Sequence, residues 1–201
     1  MFTSSNLYAY ILKSFKNFSV TKYLLFTLLF IASGLAGKVS IPGTQVGITM
    51  QTFVLMLLAL NLTQAEGLSV VASYIAVGAF GMPVFSGGMS TAALLGPSSG
   101  FIWGFLPAFA ISQALITLTR RATSSTPLRA VAYFAALVVG CMIFLYSVGV
   151  TMQSAITGMS WTALMSASFG FITFDIVKAV VAVALSLGIT SASAVFARKN
   201  N

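Results

Sequence analysis

The chain has no histidine, a single cysteine and two acidic residues among 201 positions. Without histidine there is no Ser-His or Cys-His catalytic arrangement and no His-rich metal centre. Cys141 has no second cysteine to pair with, and its apolar surroundings suit a small buried hydrophobe. The two carboxylates, Glu66 and Asp175, lie far apart in sequence and offer little for acid–base chemistry, so neither an enzyme nor a bound cofactor is expected. No Gly-Lys-Ser/Thr follows the glycine-containing stretch 96–100, which excludes a phosphate loop and any ATPase activity of its own. Charged residues make up 6% of the chain, against about 25% in soluble domains.

Apolar sequence takes their place. Hydrophobic residues are 58% of the chain and its mean hydropathy is +1.01. Residues 67–119 run for 53 positions without a charge, enough for two membrane crossings of about 20 residues each. The apolar runs do not alternate, which disfavours a barrel. The sequence therefore predicts an all-α, polytopic integral membrane protein forming one membrane domain over 1–201. Six transmembrane helices are expected at about 23–37, 48–62, 66–82, 101–119, 130–150 and 171–196, giving a six-helix bundle over 21–197. Gly-rich outer loops connect them, and a short surface helix around Trp161 is expected within 151–170. Lysines ahead of 23–37 resemble a signal peptide, but further spans follow at once, so an uncleaved first helix is expected. Residues 1–20 read equally as a cytoplasmic interfacial helix or a partly ordered tail.

The net charge of +8 fits membrane orientation better than nucleic acid, because the basic residues flank apolar runs. With six spans, Lys13, Lys16, Lys22, Arg120, Arg121, Arg129, Arg198 and Lys199 fall on one side, eight of the ten cations. The positive-inside rule then makes both termini cytoplasmic, in the inner (plasma) membrane. On the opposite side lie the segments 38–49, 81–100 and 151–170. Irregular backbone at membrane depth survives where it lines a cavity, so a pocket open to the outside is expected there.

Asp175 and Lys178 open the last span on that same side, after 45 uncharged residues at 130–174. Three positions apart on a helix, they share a face. Intramembrane charges are costly and mark function by default, although a self-neutralising structural pair is the competing reading.

Four stretches carry a resemblance. They are Lys38-Val39-Ser40-Ile41-Pro42-Gly43-Thr44-Gln45-Val46-Gly47-Ile48-Thr49-Met50-Gln51, then Tyr74 through Gly81-Met82-Pro83-Val84-Phe85-Ser86-Gly87-Gly88, then Gly96-Pro97-Ser98-Ser99-Gly100-Phe101-Ile102-Trp103-Gly104-Phe105, and Asp175-Ile176-Val177-Lys178. Together and in this order they resemble the BioY family, the biotin-specific S components of energy-coupling factor (ECF) transporters. The chain departs from the family's pattern at Gly47, where a proline is usual, at Ser98-Ser99-Gly100-Phe101, and at Thr173-Phe174 before the aspartate.

The resemblance implies high-affinity biotin uptake, with biotin as the transported substrate and energy supplied by a transmembrane coupling subunit and two ATPase subunits. It implies ligand-binding roles for Asp175, Lys178, Gln51, Tyr74, Thr49 and Phe85, with no metal site. A stand-alone carrier, or an S component for another vitamin, is the alternative. Gln51 and Tyr74 also suit helix packing, and Phe85 suits the core. Phe101 can wall a ligand ring or, with Trp103 and Phe105, anchor the fourth span at the interface. On the first span, Ala32 and Ala36 match the small residues that face the coupling subunit in the family, and packing within the bundle is the competing reading.

Overall fold

The computed structural model describes residues 18–40 and 42–199, with side chains over 20–40 and 42–188. The expectation for residues 1–17 lies outside the described residues. Among the described residues six helices follow one another: α1 Phe18–Leu35, α2 Gln51–Asn61, α3 Gln64–Ala79, α4 Ser99–Ala122, α5 Thr126–Thr157 and α6 Trp161–Lys199. This is an all-α, multi-pass membrane architecture. Among the described residues three stretches are long and apolar enough to cross a bilayer by themselves: Ser99–Ala122, Thr126–Thr157 and Trp161–Gly188. The 11-residue α2 is about 16 Å long, roughly half a membrane core. It therefore starts at depth, and the irregular backbone that precedes it reaches into the bundle.

That preceding segment is a small antiparallel ribbon, β1 Val39–Ser40 against β2 Gly47–Ile48, with Val39 opposite Ile48 and Ser40 opposite Gly47. Between α3 and α4 the chain makes a bridge from Phe85 to Met89 and a 3₁₀ turn at Thr91–Leu94. At the other end of the bundle the links are short. Leu62 and Thr63 join α2 to α3, where Thr63 and Glu66 form a reciprocal capping box that starts α3. Pro127, in the first turn of α5, suits a position whose N–H has no partner within the helix.

The last third of the chain differs from expectation. Residues 151–170 hold no separate surface helix: α5 continues to Thr157 and α6 begins at Trp161. Gly158 ends α5 in the left-handed conformation (φ +71), which glycine adopts without a Cβ penalty. Ser154 Oγ donates to Met159 O (2.7 Å) and Ser160 Oγ accepts from Ala163 N–H (3.2 Å), so the chain reverses within three residues. α6 takes in Ser166 and Ser168, whose hydroxyls donate back to Thr162 O and Leu164 O.

An aromatic cluster ties α1, α3, α4 and the 80–90 loop together. Phe30 stacks on Tyr74 at 4.3 Å, Tyr74 meets Phe85 edge-on at 5.3 Å, and Phe30 lies 5.5 Å from Phe105. Within α5, residues Val138–Phe144 adopt a π-helical turn packed against α4, just before Tyr146. Such bulges re-aim the residues that follow them.

Candidate functional site

A cavity of about 380 Å³ lies where the irregular segments meet α2, α4, α5 and α6. Its size falls in the range of about 300–1,000 Å³ typical of small-molecule sites. α6 contributes Phe171, Asp175 and Lys178 to its lining, α5 contributes Leu145 and Tyr146, and α4 contributes Phe101, Ile102 and Phe105. Gly47 to Thr49, Gln51 and Thr52 form the side from which α2 rises, and Phe85, Ser86 and Met89 come from the loop after α3. The first loop is fastened over this space by Gln153, whose Nε2 donates to Thr44 Oγ1 at 2.9 Å.

Asp175 is 2% exposed. Its Oδ1 accepts from Lys178 Nζ at 2.7 Å and from Thr52 Oγ1 at 2.8 Å, and its Oδ2 accepts from Tyr146 O–H at 2.6 Å. Lys178 donates its other two protons to Thr49 O (2.7 Å) and Thr52 Oγ1 (3.0 Å). The ammonium thus has three acceptors for three protons. The carboxylate uses three of its roughly four lone-pair sites. A buried ion pair is tolerated when its remaining valences are met in this way. The arrangement leaves one acceptor site of Asp175 beside a mixed polar and aromatic wall, suited to a ligand that donates N–H groups.

Of the residues singled out from sequence, Asp175, Lys178, Gln51, Thr49 and Phe85 all line the cavity. Thr49 does so while giving its backbone carbonyl to Lys178. Tyr74 is fully buried one layer behind the wall. Its hydroxyl accepts from Gln51 Nε2 and donates to Val84 O at 3.0 Å, so it orients Gln51 and the Phe85 loop. Phe101 and Phe105 are cavity residues, and Trp103 is 45% exposed with its indole N–H on Leu94 O. On α1, Ser33 and Gly34 are buried, whereas Ala32 and Ala36 turn outward beside the exposed Leu25, Leu28 and Leu35.

Sequence reasoning passed over Thr52 and Tyr146, the other two groups bonded to Asp175. Tyr146 carried a signal: it is the only tyrosine between 134 and 174 in an apolar run. A tyrosine buried there needs a partner for its hydroxyl. Two buried hydroxyls, Ser86 Oγ on the cavity wall and Ser99 Oγ at the start of α4, have no hydrogen-bond partner among the described residues.

Lys22, Arg120 and Arg129 gather at the opposite end. Lys22 Nζ donates to Asn61 O (3.3 Å), Arg120 to Leu60 O, and Arg129 to Thr123 O (2.7 Å) and Arg120 O (3.2 Å).

Fold and site together define a multi-pass membrane protein enclosing a small-molecule cavity with a buried acid–amine pair. Comparison with known proteins narrows the class. The BioY family model matches residues 10–194. A biotin transporter BioY of Rhizobium etli is 30% identical over 162 residues, covering 80% of this chain and 87% of that one. A biotin transporter BioY of Thermotoga maritima is 31% identical over 150 residues, covering 74% and 83%. The crystal structure of an S-component for biotin from an ECF-type ABC transporter superposes with a TM-score of 0.81 over 89% of this chain and 93% of that one. At 22% identity that likeness concerns the fold alone. The chain belongs to the BioY family.

Proposed function

We propose that the protein is the biotin-binding membrane subunit of an ECF-type transporter. The observation that carries this reading is the Asp175–Lys178 pair, buried yet bordering a cavity of about 380 Å³. Biotin offers a ureido ring with two N–H donors and a carbonyl, a thioether ring and a valerate carboxylate. Asp175 has an acceptor site for a ureido N–H, a charge-assisted bond of the stronger kind. Lys178 reaches the ureido oxygen by exchanging one of its bonds to Thr49 or Thr52. Phe85, Phe101 and Phe171 provide apolar faces for the thioether ring, and the unpartnered Ser86 hydroxyl lies within the same wall.

In this reading the cavity faces outward, and the end holding Lys22, Arg120 and Arg129 faces the cytoplasm of a plasma-membrane protein, as the positive-inside rule requires. The chain acts in capture and transport rather than catalysis. The relatives named as biotin transporters, and the S-component fold, support a coupling protein and two ATPases as its source of energy. The outward Ala32 and Ala36 give a helix of that coupling protein room to approach closely.

Calorimetric titration of the detergent-solubilised protein with biotin tests the reading, and saturable binding with one biotin per chain is expected. No heat with biotin, and saturable heat with another vitamin from a panel, would replace biotin by that ligand.

A further inference from the structure

Three charged side chains line the cavity: Lys38, Asp175 and Lys178. Two cations and one anion leave the wall with one excess positive charge. Lys178 is not its source, because its three protons are held by Asp175, Thr49 and Thr52.

Lys38 differs. It is exposed at the cavity's mouth, immediately before β1, and its ammonium has neither a hydrogen-bond nor an ion-pair partner among the described residues. The chain has no spare carboxylate to offer it. Of its two acids, Asp175 is bonded to Lys178, and Glu66 is engaged by Thr63 at the α2–α3 link. An exposed lysine is ordinarily a solvated surface group, but here the local backbone also accommodates the stem. A Cβ at Gly47 would lie 2.8 Å from Val39 O, 3.0 Å from Lys38 Cβ and 3.2 Å from Lys38 Cδ. Any side chain at 47 would press on Cβ and Cδ of Lys38 or on the ribbon itself. Gly47 is therefore the residue against which the Lys38 stem lies.

We infer that Lys38 binds a carboxylate at the solvent-side end of the ligand and makes the protein select the anionic form over a neutral one. The inference rests on the biotin reading and deepens it. With the ureido ring at Asp175, a tail that reaches the mouth meets Lys38, the one uncommitted cation on the wall. An ammonium at a partly exposed mouth adds modest affinity, because solvent and salt screen it, and a single charge-assisted bond there changes affinity by about tenfold or less. Its contribution therefore falls as ionic strength rises.

The test compares biotin with biotin methyl ester on the full chain in detergent, at 20 mM and at 500 mM salt. Wild-type protein is expected to prefer the acid by about tenfold at low salt. Lys38→Gln should lower affinity for the acid about fivefold to tenfold, leave the ester unchanged and abolish the salt dependence. Lys38→Arg, which keeps the charge, should retain the preference. If wild-type protein binds both ligands and Lys38→Gln leaves the acid-to-ester ratio unchanged, the inference falls and the biotin reading stands. If wild-type protein binds neither, both fall together.

Discussion

The two ends of the 11-residue α2 treat polar groups in opposite ways. At the Asn61 end, Lys22 and Arg120 donate to the carbonyls of the helix's last turn, which are left without partners inside the helix. The cations there complement the negative end of the helix dipole, and the neighbouring links are two or three residues long. At the Gln51 end, α2 begins inside the bundle. Thr49 and Thr52 are bonded directly to a lysine and an aspartate that border a hollow, and Gln51 lines the same hollow, beside a ribbon and a long loop. Both ends are rich in hydrogen bonds. Among the described residues only the Gln51 end keeps an ion pair beside open volume, and there the Ser86 hydroxyl on the cavity wall lacks a partner. Charge density alone would have pointed to the wrong end of the molecule. What separates a site from a structural cap is charge combined with space and unfilled bonding capacity.

The strongest way to break that contrast is Asp175→Asn. Biotin affinity is expected to fall about 100-fold, or about 3 kcal/mol, measured by calorimetry. Loss of the carboxylate also leaves Lys178 buried without its counter-ion, which costs stability, and a lowered thermal midpoint should accompany the loss of binding. Wild-type affinity in this variant would make the pair a structural strut and erase the difference between the two ends.

Tyr146→Phe sharpens the comparison at smaller amplitude. It removes one donor from Asp175 Oδ2 and keeps the ring that packs edge-on against Phe101 at 5.9 Å. Affinity should drop about tenfold, as for one hydrogen bond to a charged group, with little change in helix packing. An effect as large as that of Asp175→Asn would mean that the hydroxyl itself touches the ligand. No effect would mean that Asp175 is positioned by Lys178 and Thr52 alone.

The distribution of charge made much of this readable in advance. Six helices in order, the gathering of Lys22, Arg120 and Arg129 away from the pocket, and Asp175 beside Lys178 all follow from where charges interrupt apolar sequence. The α5–α6 junction did not follow: a short helix around Trp161 was expected within 151–170, whereas α6 runs on unbroken from Trp161, with Ser166 and Ser168 bonded to its own backbone. Thr52 and Tyr146 were hidden for a different reason. Their partner is 123 residues away from one and 29 from the other, and nothing local announces a long-range hydrogen bond. Tyr74 shows the limit of a motif: it lies next to the cavity wall, but the residue it touches there is Gln51. Lys38 was visible only as a basic residue in a loop until the ribbon brought it against Gly47.

The smallest expected effect comes from the end without a cavity. Thr63→Ala removes the hydroxyl that accepts from Glu66 N–H and donates to Glu66 Oε2 at 2.9 Å, leaving the Thr63 N–H to Glu66 Oε2 bond in place. Loss of such a cap costs about 1 kcal/mol, which in a chain of this size lowers the thermal midpoint by about 2–4 °C. Biotin affinity should not move, because α2 separates the cap from the cavity and no cavity residue bonds to it. A thermal shift without an affinity shift keeps the two ends independent. If affinity fell together with the midpoint, the α2–α3 hairpin would be transmitting order from its tight link to the Gln51 end, and the cavity would depend on a cap at the far side of the bundle.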